Sequence, residues 1–541
     1  MSAAHDIAPT RMSEPRIATE LAANAASDLS TLDAGLAIAR HAPGLTFIAL
    51  DAPVVAPTAI VDEFRDAPLV SWASGDLTLV GVGIAREVRG TGEPRWAQVI
   101  ANAHAIATNT DEVDDEPRDT MPTHVGNDAA DAPGETAHDV RDAVRGNDRR
   151  FDGGELLLDT PHRAVIAGEV APTASLGFAR PRFVGGAAFA PGAADRAPWI
   201  GFGDAWFALP RWTYVHDGAR AYLVLAVDAN SAADARRWRD ELAIHRAAFA
   251  ANNARLRGQP ALVELAPAPA GAWRTQVTDI TDAIAHGTCS KIVAARTCSV
   301  LLAGSIRTAE LLAALDDRHA DCVRVLIKPP GAGALVAATP ERLVRRNGDV
   351  VLCDALAGSI APNGDADAAA ARLFASAKDR NEHELVVDAL RTALTDAGAH
   401  VDAPREPGFK RLRHIIHLHT PFRAVLRTPR HVLELAARLH PTPAVGGTPH
   451  ALASSWIESH EPQPRGWYSA PVGWFDLDGN GELAVALRSG VIANNRAHLW
   501  AGAGIVAGSD PDKELAETEM KFRAMLGALG VNADGNAGVS G

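Results

Sequence analysis

From about residue 271 onward the chain sets strand-length apolar runs against long acid-rich helices, and this alternation constrains its fold more than any other feature. KIVAARTCSVLL, CVRVLIKP, GALVAATP and GDVVLCDALAG read as strands, while DRNEHELVVDALRTALTDAG and DKELAETEMKFRAMLGALG read as helices. Strands at hairpin-like spacing with helices set between them predict an α+β fold built on large antiparallel sheets. No fixed-period repeat is visible. A length of 541 residues suits two to four domains, although a large mixed fold can use most of it in one unit.

The region 31–270 is less regular. GELLLDTPHRAVIAGE (154–169) predicts a hairpin turning around Asp159, Thr160 and Pro161, and RAYLVLAVD (220–228) a strand. AADARRWRDELAIHRAAFAANNARL (232–256) has helical periodicity, with Trp238, Leu242, Ile244 and Phe249 on one side. Residues 1–30, Ala-rich and polar, read as a loosely held leader. Residues 109–150, acidic and poor in large apolar side chains, read as a disordered insertion, and 531–541 as a tail.

A formal net charge of −14 argues against nucleic-acid and anionic-membrane partners. It leaves room for an anionic small substrate in a locally basic pocket. Cys289, Cys298, Cys322 and Cys353 form no C-x-x-C pair, so neither a zinc site nor a disulfide framework is expected. A reduced, cytoplasmic setting fits this cysteine usage. The N-terminal residues lack an apolar signal core, and no apolar run of about 18 residues predicts a membrane span.

Of 52 basic residues only six are lysines, and Lys291 is the first in the chain. Lysine can give up its proton where arginine cannot. Lys291 opens the strand KIVAAR, sharing one face with Val293 and Ala295, while Ile292, Ala294 and Arg296 share the other. A lysine on a small-residue face of an interior strand needs a cleft or a partner. Glu341, in ATPERLV, follows a proline at a strand end; it is either a helix-start carboxylate or the acid that complements an amine base. Glu382 sits on the first turn of one acidic helix, and Glu514, Glu517 and Lys521 share a face of the other. These carboxylates are either helix-supporting ion pairs or a hard-cation site. Arg488 ends a strand and has the fork to grip a carboxylate. Gly502 and Gly504, in AGAG, either admit an anion to backbone N–H groups or serve tight packing. DLDGNG lacks the closing glutamate of a calcium loop and reads as a turn.

SKIVAAR, ATPERLV, DALAGS, SAKDRNEHELVVDAL, IIHLHTPF, LHPTPAVGGTP, ESHEPQPRGWYSAPVGWFD, VALRSG and AGAGIVAGSDPDKELAETEMK, in that order, resemble the chorismate-utilising enzymes, and most closely their isochorismate synthase branch. The resemblance covers about 271–530, with a fainter match before it. It implies one α+β unit of antiparallel sheets layered face to face, helices outside, and an active site in a cleft between the halves. It implies chorismate and Mg²⁺. By the matched motifs, Lys291 is the base that activates water for attack at ring carbon 2. Glu341 is the acid that protonates the hydroxyl leaving ring carbon 4. Glu382 and Glu517 are the Mg²⁺ ligands, with Glu514 supporting them directly or through water. Gly358, Ser359, His417, Arg488, Gly502 and Lys521 are substrate contacts.

The family's aminating members usually carry glutamine where Lys291 stands, because ammonia rather than activated water attacks. Aminodeoxychorismate enzymes often carry a lysine where this chain has Ala357. Ser359 replaces a common threonine, keeping the hydroxyl. Salicylate synthases, which go on to eliminate pyruvate, share the lysine and both glutamates and remain the alternative. A non-catalytic chorismate-binding homologue would have lost the base, acid or carboxylates, and a metal-dependent hydrolase would need His- or Asp-rich clusters. The pathway served, menaquinone or siderophore, is left open. A monomer is the default expectation.

Overall fold

Among the residues described by the computed structural model (14–75, 77–108, 162–251, 257–362, 364–413 and 415–531), the strands pair into one continuous network that forks at Ala205–His216. That strand lies antiparallel to Leu77–Gly90 along its whole length. On its other edge Ala205–Ala208 pairs with Ala187–Val184, whereas Trp212–His216 pairs with Leu225–Ala221. Pro210 marks the fork. It brings no N–H to a ladder, and the facing strand shifts register between Ile84 and Arg86.

One branch runs from Leu77–Gly90 through Leu69–Ser74, Val323–Lys328, Ala334–Thr339, Ser489–Ala493 and Arg496–Val506 to Lys291–Leu302. The other runs from Arg182–Ala187 through Pro471–Asp476, Gly481–Val485, Arg342–Asn347 and Val350–Ile360 to Ile415–Leu426. All these pairs are antiparallel; Thr46–Ala49 with Arg163–Ile166 is the parallel exception. Trp72 and Leu335 of the first branch share an apolar cluster with Phe183, Cys353 and Phe475 of the second, so the branches pack onto each other. This is the α+β architecture of large antiparallel sheets expected from the sequence.

The chain crosses between branches twice at neighbouring points. It leaves Ala334–Thr339 for Arg342–Asn347 through Pro340 and Glu341, and returns from Gly481–Val485 to Ser489–Ala493 through Ala486, Leu487 and Arg488. The crossings are stitched together. Val485 N–H donates to the Glu341 carbonyl at 3.0 Å, Thr339 Oγ1 donates to the Val485 carbonyl at 2.6 Å, and Ala338 N–H donates to the Arg488 carbonyl at 3.2 Å. Glu341 and Arg488 are thereby fixed at one junction. Helices Ala377–Asp396 and Pro511–Ala528 bury Val386, Leu390 and Leu394, and Leu515, Phe522 and Met525, against these strands.

Four expectations need correction or placement. Helix Glu14–Ala39 runs through much of the stretch read as a loose leader, and its Leu32 and Leu36 are buried while Asp28 pairs with Arg246. The turn expected around Asp159, Thr160 and Pro161 lies outside the described residues; Arg163–Ile166 pairs with Glu169–Pro172, turning at Ala167 and Gly168. Both have positive φ (50° and 85°), as a two-residue hairpin turn needs. In helix Ala235–Ala250, Ile244 is exposed and His245 joins Trp238, Leu242 and Phe249 inside, because 4-3-4 spacing keeps one face where position 244 does not. The halves read as 31–270 and 271–530 are joined by strand Leu262–Pro267, which pairs with Lys291–Leu302. The expectations for 1–13, 109–150 and 532–541 lie outside the described residues. Among the described helices none is long and apolar enough to cross a membrane.

Trp206 is fully buried where the branches meet, and its Nε1–H donates to Glu87 Oε2 at 2.9 Å. Trp206→Ala is expected to cost about 3–5 kcal/mol in denaturant unfolding; a loss under about 1 kcal/mol would contradict the packing described.

Candidate active site

Lys291 opens its strand opposite Val506, and its side chain is completely buried. The next two positions on that face, Val293 and Ala295, lie opposite Gly504 and Gly502. The Lys291 Nζ lies 2.9 Å from Glu382 Oε1, at ion-pair distance but without aligned hydrogen-bond geometry. The partner that a buried lysine needs is thus a carboxylate. Gly504 makes the contact possible, since a Cβ there would stand 2.2 Å from Glu382 Oε1 and 2.9 Å from Lys291 Cε. The Gly502 carbonyl accepts from Lys521 Nζ at 2.8 Å, and a Cβ on Gly502 would approach Tyr468 Oη at 3.0 Å.

Glu341 is 3% exposed and stands in the crossing between strands, not at a helix start. Burial, reinforced by the negative charge of Asp354, pushes its carboxyl up to about 8, against the pull of Lys291, Lys410 and Lys521. It therefore carries a proton at neutral pH. Asp354 itself is held below the ordinary range: burial lifts it, but a 3.0 Å hydrogen bond with His419 and the Arg342 guanidinium outweigh that.

Gly358, with φ +73°, forms a bulge that shifts register between Ala357 and Ser359 and brings Ser359 opposite His417. Ser359 Oγ lies 2.9 Å from His417 Nδ1, and Arg488 Nη2 lies 3.4 Å from His417 Nε2. Burial, with the positive charges of Arg488, Lys521 and Lys410, keeps His417 well below its usual range and hence neutral. Because Arg488 can only donate, the network assigns the proton to Nδ1, facing Ser359. Arg488, at φ +48°, also sends Nη1 to Cys322 Sγ at 3.7 Å.

Each of the three glutamates read as metal ligands meets a lysine. Glu382 meets Lys291, Glu514 lies 2.7 Å from Lys378, and Glu517 lies 2.8 Å from Lys521. Burial lifts the Glu382 carboxyl, yet Lys291, aided by Lys378 and Lys521, holds it below the ordinary range. Glu514 is lifted by burial, against Lys378. One cleft is lined by Glu341, Glu382, Glu517, Lys521, Arg488 and His417, with Val293, Gly358, Ser359 and Gly502 in its wall. Neither Lys291 nor Glu514 is among the lining residues: Lys291 lies behind Glu382, and Glu514 faces Lys378.

Glu382 and Glu517 suit a hard cation that takes its remaining ligands from substrate and water. Glu514 suits support from behind, through Lys378 or water. Among the described residues, the His/Cys/Asp/Glu group whose ligand atoms lie closest together is His319, Asp321 and Cys322, not the three glutamates. Sequence reasoning missed Tyr468, which is 3% exposed and lines the cleft, although its RGWYSAP segment is conspicuous. It also missed Lys378 and Asp354, which act through Glu514 and Glu341 and carry no spacing that marks them.

Gly504→Ala is expected to leave the protein folded, to part Glu382 from Lys291 and to reduce turnover by at least about 100-fold; near-native turnover with unchanged circular dichroism would contradict the geometry. Glu341 also predicts a slope in stability. Its folded value of about 8 exceeds the ordinary 4.5, so the folded state binds the extra proton between these limits. Stability should fall as pH rises through that window, and Glu341→Gln should flatten the fall in denaturant titrations. An equally steep fall in the variant would contradict the assignment.

Residues 157–530 match the family described as chorismate binding enzyme. The salicylate biosynthesis isochorismate synthase of Pseudomonas aeruginosa is 38% identical over 380 residues, covering 68% of this chain and 76% of the relative. The isochorismate synthase MenF of Bacillus subtilis is 31% identical over 353 residues, covering 65% and 75%. The solved structure of MenF, the menaquinone-specific isochorismate synthase of Escherichia coli, aligns over 93% of this chain and 100% of its own with a TM-score of 0.69; at 23% identity this speaks for the fold. By the match over 157–530 and by relatives sharing most of their length with it, the chain belongs to the chorismate binding enzyme family.

Proposed function

We propose that this protein is an isochorismate synthase, converting chorismate to isochorismate with Mg²⁺. The observation that carries the reading is a buried amine behind one cleft and a buried, protonated carboxyl in its wall: Lys291, outside the lining, is paired with the lining Glu382, and Glu341 is lifted to about 8. Water is a poor nucleophile and hydroxide a poor leaving group, so a base and an acid are both needed. Lys291, in its neutral amine form, takes a proton from water as the water oxygen bonds to ring carbon 2. The ring double bonds shift, the carbon–oxygen bond at ring carbon 4 breaks, and Glu341 gives its proton to the departing hydroxyl, which leaves as water. One water is consumed and one released.

Glu382 and Glu517 are the residues to hold Mg²⁺, which when bound would neutralise and orient a substrate carboxylate. Arg488, Lys521 and the backbone at Gly358 and Gly502 supply the positive and polar surface that a dianion requires in an acidic protein. His417, neutral with Nε2 toward Arg488, holds that guanidinium without adding charge.

Chorismate and Mg²⁺ should yield isochorismate on mass-resolved chromatography. Salicylate with pyruvate would identify the eliminating alternative, and no product would refute the reading. Lys291→Ala should keep the fold and lose about 10²–10⁴-fold in turnover; wild-type turnover would remove Lys291 from the mechanism. The wild-type rate should fall as pH rises through about 8, where Glu341 loses the proton it must donate. A rate still rising well above that pH would exclude Glu341 as the acid.

A further inference from the structure

The strand Lys291–Leu302 has one complete edge, against Arg496–Val506. Its other edge is paired only at the ends: Lys291 and Ile292 meet Thr448 and Gly447, and Cys298–Leu302 meets Pro267–Leu262. Among the described residues no strand covers the edge between Val293 and Thr297. Four of its polar groups are nonetheless partnered, two by backbone and two by side chains. Val293 N–H donates to the Gly446 carbonyl at 2.8 Å, and the Thr297 carbonyl accepts from Ala268 N–H at 2.8 Å. The two groups in the middle go to side chains: Ala295 N–H donates to Glu461 Oε1 at 3.0 Å, and the Val293 carbonyl accepts from Arg465 Nη2 at 2.7 Å.

Glu461 and Arg465 are buried and locked together, with Nε donating to Oε2 at 2.8 Å and Nη2 to Oε1 at 2.5 Å. The segment joining them is EPQPR, and Pro462 and Pro464 cannot donate to a ladder. The side chains present the carboxylate oxygen and N–H that a neighbouring strand would have offered. Arg465 reaches further, donating from Nη1 to the Val445 carbonyl at 2.7 Å and to Ser469 Oγ at 3.4 Å, while its own carbonyl accepts from Tyr468 N–H at 2.8 Å. Val293, Val445, Tyr468 and Ser469 all line the cleft. One guanidinium therefore ties the lysine's strand to two loops of the cleft wall.

We propose that Glu461 and Arg465 are positioning residues that stand in for a missing strand and set Lys291 against the cleft wall. The inference rests on the reading of Lys291 as the base. A pair serving stability alone could be exchanged for apolar side chains, since such exchanges of buried ion pairs are often neutral or stabilising. The test is the double variant Glu461→Met with Arg465→Met, alongside Arg465→Lys, which keeps the buried charges but cannot reach Glu461, Val293 and Val445 together. Folded double variant should show faster hydrogen exchange at the Ala295 amide and a fall in kcat of about 10-fold or more, with KM for chorismate within about threefold.

Arg465→Lys should show the same split, and it carries the test if the double variant does not fold. Wild-type kcat in either folded variant, or unchanged protection of Ala295 in the double variant, would overturn the proposal. The exchange measurement needs no turnover, so it separates failure of the strand support from failure of the catalytic reading, which would appear as a wild-type protein inert toward chorismate.

Discussion

The structure of the site depends on one buried contact, that of Lys291 with Glu382. Taking an ammonium and a carboxylate out of water costs several kcal/mol per ion, and only close pairing offsets it. That requirement explains features otherwise unrelated. A glycine must stand at 504, because any side chain there would occupy the space of the carboxylate. Helix Ala377–Asp396 starts earlier than the sequence reading placed it, so it delivers Glu382 from its second turn and not its first, and it is capped one residue before its start by Ser376, whose Oγ accepts from Asp379 N–H. Removing either partner would leave an unpaired buried charge, so the pair ties the helix to the start of the strand.

Around this contact the charges are arranged in opposed ways. Glu382 is held ionised by lysines, whereas Glu341, in the same cleft and just as buried, is lifted by desolvation and by Asp354. Two carboxyls on one wall thus stand in different protonation states at neutral pH. Such separation marks acid and base roles more firmly than the presence of carboxyls alone. The sheet crossings make it possible: Glu341 sits where the chain passes from one branch to the other, shielded from water by both.

Much of this was legible in the sequence. The lysine-poor composition marked Lys291, period-two alternation gave its strand and the face it shares with Val293, and helical spacing placed Glu514, Glu517 and Lys521 together. Spacing could not tell that Glu514 turns to Lys378 and away from the cleft, because both orientations share one helical face. Nor could it show that Glu341 belongs to a crossing and not a helix start, since proline followed by an acid fits either. The hairpin turning at Ala167 and Gly168 escaped the sequence reading because Ala-Gly is a weaker local turn pattern than the Asp-Thr-Pro just before it. Tyr468, and the Glu461–Arg465 support, emerge only when segments distant in sequence meet.

The central claim is that Lys291 and Glu341 serve opposite ends of one substitution, with hydroxide entering from solvent as another leaves. Turnover of chorismate in ¹⁸O-labelled water tests it most directly. The account predicts a single ¹⁸O in the isochorismate formed, located at ring carbon 2, with the original oxygen lost from ring carbon 4. Product free of label would mean that the hydroxyl migrates within the substrate, and the paired base and acid would then have no step to perform.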